Sequence, residues 1–110
     1  MIARMWQAWT AGPAATARYR RVFETDVLPS LHDLPGFRGA YLLARPGDAV
    51  TEIRTITLFD SLDAVRGFTG DRHAVEHVTA PARAALLGSN PGVTHFEVLT
   101  NAPARPSGGC

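Results

Sequence analysis

The sequence predicts an α+β domain of ferredoxin-like βαββαβ order, a four-stranded antiparallel sheet with its helices on one face. Three observations point there. Four stretches carry β-branched and apolar residues in the manner of strands, and two stretches between them repeat apolar residues at helical spacing. Thr55 to Phe59 runs with almost no loop into a helix that Asp60 or Ser61 can cap. Breaks such as Ala11-Gly-Pro, Pro46-Gly-Asp and Gly88-Ser-Asn-Pro-Gly fall between these stretches.

Ile2 to Thr10 reads as the first strand, with Ile2, Arg4, Trp6 and Ala8 on one face and Ala3, Met5, Gln7 and Trp9 on the other. Pro13 suits a first helical position, and the helix it opens carries Ala15, Tyr19, Val22, Phe23 and Val27 on one stripe. Pro29 is expected to limit that helix, leaving Ser30 to Leu34 as a short extra turn. Phe37 to Arg45 and Val50 to Phe59 form a hairpin around Pro46-Gly-Asp. In the expected register Tyr41 faces Arg54 and Leu43 faces Glu52 on one side, while Arg38, Leu42, Ile53, Thr57 and Phe59 take the other. Leu62, Val65 and Phe68 define the apolar side of the next helix, which ends at Gly70. A second helical piece is expected from about Arg72 to Thr79, interrupted at Pro81 and resuming through Leu87. Val93 to Thr100 supplies the last strand.

Both faces of these strands are substantially apolar, and helices cover only one. A homodimer in which two sheets pack together would bury the other. At 110 residues and 45% hydrophobic, residues 1–100 make one domain, and the Pro, Gly and Ala of 101–110 read as a disordered tail. A net charge of +1 excludes a large nucleic-acid footprint. No segment reads as a signal peptide or membrane span, so a cytoplasmic location is expected. Cys110, alone, forms no internal disulfide. All eleven basic residues are arginines, as a GC-rich coding sequence would give.

Leu34-Pro-Gly-Phe-Arg-Gly-Ala-Tyr41 and Thr57-Leu-Phe-Asp-Ser-Leu-Asp-Ala-Val-Arg-Gly-Phe68, with Met1-Ile-Ala-Arg at the start, resemble the antibiotic-biosynthesis monooxygenase-like family over roughly residues 1 to 100. The resemblance implies a dimeric α+β barrel and, from the family's named activity, oxygenation of an aromatic, polyketide-like molecule without metal or flavin. An acidic phenol or anthrone is itself the reductant in such a reaction. Its anion passes an electron to O₂ inside a dry pocket that supplies a base and anion-stabilising donors. The same scaffold hosts other chemistry, so a non-redox cyclase or isomerase and a non-catalytic binding protein are the alternatives.

His77 is the first candidate, because in the haem-degrading relatives a similarly placed histidine binds iron. Those enzymes' helical tryptophan corresponds to Phe68 and their strand-one asparagine to Met5, so haem degradation is disfavoured and haem binding stays a lesser alternative. His73, four residues before His77, would share its helix face. Two ligands without a third make no metal site, although His95 stands on the last strand. Tyr41 and Arg54 are expected as proton donor and anion anchor, Trp6 as an aromatic wall, and Arg83 as a residue of the pocket mouth or a solvated one. The expected partners are a small aromatic substrate, O₂ and a second copy of the chain.

Overall fold

A computed structural model describes residues 1–104 of the chain. Residues 101–104 are exposed and without regular structure, while the rest of the expected tail, with Cys110, lies outside the described residues. The elements are β1 (Ile2–Thr10), α1 (Pro13–Val22), a π-helical turn (Phe23–Val27), α2 (Leu28–His32), β2 (Phe37–Pro46), β3 (Thr51–Phe59), α3 (Leu62–Thr69), α4 (Ala80–Ala85), β4 (Gly88–Ser89) and β5 (Thr94–Glu97). They form one antiparallel sheet ordered β2-β3-β1, with β4 and β5 sharing the far edge of β1. The fourth strand of the expected plan is therefore divided. Gly88–Ser89 pairs with Ala8 and Trp9, Thr94–Glu97 pairs with Ile2 to Met5, and the Asn90-Pro91-Gly92 turn interrupts the ladder between them.

Strand β1 alternates as its sequence requires: Arg4, Trp6, Ala8 and Thr10 are buried beneath the helices, and the intervening residues face the other side. On β3, Thr51, Ile53, Thr55, Thr57 and Phe59 continue the same buried face. The core falls into two clusters. One gathers Trp6, Tyr19, Ile53 and Ala82 under α1 and α4; the other gathers Leu31, Phe59 and Val65 under α2 and α3. Ser61 caps α3 by accepting from the Ala64 N–H at 3.2 Å, and Gly70 ends it at φ 67°, a conformation that suits glycine.

Three expectations are corrected. Pro29 does not limit the first helix. The Leu28 N–H donates to the Phe23 carbonyl in a widened π turn that relieves the clash of the Pro29 ring with the preceding turn, so the helical path continues to His32. The hairpin register lies two residues from the expected one: Tyr41 pairs with Ile56, Leu43 with Arg54 and Arg45 with Glu52. A two-residue shift preserves the faces, so Leu42, Ile53, Thr57 and Phe59 do point inward. Arg38 does not join them: it stands at the bulge between Phe37 and Gly39 and pairs with Asp60.

The third correction matters most. Residues 71–79 form no helix. Val75 bridges to Gly92, the Glu76 N–H donates to the Pro91 carbonyl, and the Val93 N–H donates to the Ala74 carbonyl. A stretch this short forms a helix at a nucleation cost, and here extended pairing competes and wins. Helix α4 begins afresh at Ala80, capped by Thr79, with Pro81 in its first turn.

The outer face of the sheet is open. Tyr41, Leu43 and Phe96 are exposed there, and Met5 and Trp9 are partly so. No helix among the described residues is long and apolar enough to cross a membrane.

Candidate active site

Between the two core clusters, the inner face of the sheet and the helices leave a chamber of about 50 Å³. Strand β1 supplies Arg4 and Trp6, β3 supplies Thr55 and Thr57, and α1 supplies Tyr19. Phe68 closes one side from α3, and His77, Val78 and Thr79 close another from the 71–79 segment. Five of its lining residues, Val27, Phe68, His77, Val78 and Thr79, also border an outer bowl of about 290 Å³ that adds Asp26 and Ser30. The chamber thus opens toward solvent past His77. Together the two spaces reach the size range of small-molecule pockets.

Aromatic rings make most of the wall. Trp6 and Tyr19 lie 6.3 Å apart between centroids, Phe68 stacks 6.3 Å from Phe59, and His77 lies 6.2 Å from Phe68. The Trp6 indole N–H donates to Glu76 Oε2 at 2.9 Å and to the Asn90 carbonyl at 3.0 Å, which fixes the ring plane. Arg83 donates to the other Glu76 oxygen at 2.7 Å and to Ser89 Oγ at 2.8 Å. It is a strut behind the site, not part of the chamber's mouth. Burial acts to raise the Glu76 carboxyl, but bonds from Ser89, Trp6 and Arg83 outweigh it and hold the group below its ordinary range.

His77 Nε2 lies 3.3 Å from the Arg72 carbonyl oxygen. In the tautomer whose Nε2–H donates there, Nδ1 is left as a free base at the mouth. Burial, moderated by Thr55 and reinforced by the Glu76 charge, pushes the Tyr19 hydroxyl up to about 12. It stays protonated through the physiological range and suits a donor, not a base.

Arg4 is the feature the sequence reading passed over. It is only 7% exposed, and its guanidinium makes one hydrogen bond, from Nη2 to the Val75 carbonyl at 3.2 Å. Burial pulls its pKa down to about 10, so it remains charged at neutral pH. Its Cζ sits 5.5 Å from the centroid of Phe68, a cation–π arrangement. The available signal was an arginine alternating with Ile2, Trp6 and Ala8 on the buried face of β1.

The candidates named from sequence divide between the two sides of the sheet. Trp6 and His77 meet at the chamber. Tyr41 and Arg54 do not: Tyr41 is 60% exposed on the outer face, where Arg54 pairs with Glu52 at 2.6 Å. Glu52 also accepts from Arg45 and from Gln7, and with Arg54 the strongest influence its carboxyl falls to about 2. His73 and His77 share no helix face, since that helix is absent; His73 instead sits 5.5 Å from His95, ring to ring. No group of three or more metal-ligating side chains occurs among the described residues. Met5 points to the outer face, away from the chamber.

No protein-family model matches the chain, and no curated protein sequence matches it. Solved structures do. SnoaB, a cofactor-independent oxygenase from Streptomyces nogalater, superposes with a TM-score of 0.61 at 21% identity, over 94% of this chain and 98% of that one. The fold is that of the antibiotic-biosynthesis monooxygenases. A monooxygenase from the gene ActVA-Orf6 of Streptomyces coelicolor, in complex with nanaomycin D, gives 0.60 at 19% identity, over 96% and 92% of the two chains. The haem degrader MhuD of Mycobacterium tuberculosis gives 0.62 at 20% identity, over 94% and 100%. At these identities the likeness is one of fold.

Proposed function

We propose that this chain is a homodimeric, cofactor-independent oxygenase acting on an aromatic, polyketide-type small molecule at the chamber between sheet and helices. One observation supports this above the others: an aromatic-walled chamber that opens to solvent past His77, whose Nε2 lies against the Arg72 carbonyl. A planar substrate enters through the outer bowl and lies against Trp6 and Phe68. His77 Nδ1 removes its acidic proton. The fixed charge of Arg4 favours the resulting anion in a site with little water.

For an anthrone-type substrate the reaction balances without an added cofactor. The carbanion gives one electron to O₂, the radical pair joins in a C–O bond, and the hydroperoxide loses water to leave a quinone carbonyl. Each substrate consumes one O₂ and releases one H₂O. Anion anchoring, expected of Arg54 from the sequence, falls to Arg4, and protonated Tyr19 takes the donor role expected of Tyr41. The second copy covers the outer face, where Tyr41, Leu43 and Phe96 would otherwise remain in water.

An oxygen electrode with anthrone and quinol substrates tests the reading. The expected result is stoichiometric O₂ uptake that falls about 10²–10⁴-fold in His77→Ala. Turnover unchanged without oxygen would overturn it in favour of a non-redox reaction. Sedimentation of Leu43→Asp tests the dimer: the variant should be monomeric where the parent is not.

A further inference from the structure

The 71–79 segment closes the chamber with few fastenings. Arg4 Nη2 donates to the Val75 carbonyl at 3.2 Å, the Glu76 N–H to the Pro91 carbonyl at 2.9 Å, and the Val93 N–H to the Ala74 carbonyl at 2.9 Å. The Trp6 indole adds one bond, to Glu76 Oε2 at 2.9 Å. His77, Val78 and Thr79, at the end of the same segment, line both the chamber and the outer bowl. Loss of these bonds therefore opens the mouth.

Two histidines bracket that pairing and stand outside the chamber's lining. His73 precedes Ala74, and His95 lies two residues beyond Val93. His95 is directly opposite Arg4 across the β1–β5 ladder, so both side chains share the inner face, and the His73 ring meets the His95 ring edge to face at 5.5 Å. Arg4 Nε, His73 Nδ1 and His95 Nε2 are buried without a hydrogen-bond partner. A neutral imidazole can leave such a nitrogen bare, whereas an imidazolium presents an N–H there with nothing to accept it. No carboxylate compensates: among the described residues neither histidine nor Arg4 forms a salt bridge. Glu76 is committed to Trp6 and Arg83, and Glu97, next on the same face of β5, is exposed opposite Ile2. On the segment itself Asp71 and Arg72 are exposed, and His77 turns to the Arg72 carbonyl. From α3 the Phe68 ring, not a charge, meets Arg4.

We propose that Arg4, His73 and His95 form an acid-operated latch, which holds the 71–79 segment closed while His95 is neutral and releases it, opening the chamber, when His95 takes up a proton. The imidazolium sets a second positive charge beside Arg4, away from water and from any counter-charge. Parting the segment from β5 returns water to both cations. Burial first, then Arg4 and His73, lower the pKa of His95 from its ordinary 6.5. The closed state keeps its full advantage above pH 6.5 and loses it as the pH falls through the lowered value. The release depends on these charges alone and holds whatever reaction the chamber carries out.

Amide hydrogen exchange of the ligand-free protein between about pH 8 and pH 5, corrected for the intrinsic pH dependence of exchange, tests the latch. Protection of the Glu76 and Val93 amides should fall at least about tenfold across that range, the factor that one unit of pKa difference supplies, while the β3 amides keep theirs. Constant protection at Glu76 and Val93 would overturn the latch. An equal loss in β3 would overturn it too, because that marks global acid unfolding. His95→Gln should remove the pH dependence and His77→Gln should leave it in place; the reverse pattern would assign the opening to the mouth histidine and refute the cluster's part. If His95→Gln does not fold, an NMR titration of the parent protein supplies the same decision. The His95 ring signal should titrate over the interval in which Glu76 and Val93 lose protection, and midpoints more than about one pH unit apart would refute the coupling.

Discussion

Glu76→Gln is a stringent perturbation of this architecture, because one carboxylate links the aromatic wall to the segment that carries His77. Glu76 Oε2 accepts from Trp6 at 2.9 Å, and Oε1 accepts from Arg83 at 2.7 Å. Glutamine keeps the shape but removes the charge and turns one acceptor into a donor facing another donor. The Arg83 side chain is 47% exposed, so that ion pair contributes only about 0.5 kcal/mol. The Trp6 bond is more sheltered and charge-assisted; losing it costs about 1.5 kcal/mol, although the Asn90 carbonyl still receives the indole N–H. A loss of about 2 kcal/mol in a domain of this size lowers Tm by about 10 °C. Thermal unfolding followed by circular dichroism at pH 7 measures it.

The pH dependence gives a second check. The Glu76 carboxyl lies below its ordinary value of 4.5, so its stabilisation is full above that pH and fades as the pH falls through the lowered value. The difference in Tm between parent and variant should therefore narrow in acid. A variant melting within about 2 °C of the parent at pH 7 would refute the linking role of Glu76.

Glu52, lowered to about 2 chiefly by Arg54, should likewise contribute stability above pH 4.5 that is lost as the pH falls toward 2, and acid titration of Glu52→Gln should show a shallower decline across that window. Gly36→Ala should destabilise by about 2 kcal/mol or more in urea unfolding, because Gly36 sits at φ +84° and an added Cβ would lie 2.7 Å from the Ala64 Cβ. Tyr41→Phe and Arg54→Gln should leave kcat within about twofold of the parent, since neither side chain reaches the chamber; a drop of about 10²-fold in either would return the chemistry to the outer face.

Strand β1 and helix α3 were legible because each carries its own pattern: alternation from Ile2 to Thr10, and Ser61 with Gly70 bounding Leu62–Thr69. The faces of the hairpin were legible too, since parity fixes them even when the register does not. Residues 71–79 were not. Their structure comes from partners far along the chain, with Arg4 and Trp6 donating to Val75 and Glu76 and with the 91–93 backbone pairing alongside. Local spacing contains no trace of those bonds. That segment also set the relation of His73 to His77, so the site suffered most from the error. Trp6 was named from its place on a strand face and His77 from its likeness to the iron-binding histidine of haem-degrading proteins, and both line the chamber although the helix expected to carry His77 is absent. Tyr41 and Arg54 were assigned to the chamber although they stand on the outer face of the hairpin, which helices do not cover.

A crystal structure with a bound anthrone-type ligand tests the central claim most directly. The account predicts the ring system on the inner face of the sheet, between Trp6 and Phe68 and within hydrogen-bonding reach of His77 Nδ1. A ligand seated on the outer face beside Tyr41 and Arg54 would contradict it.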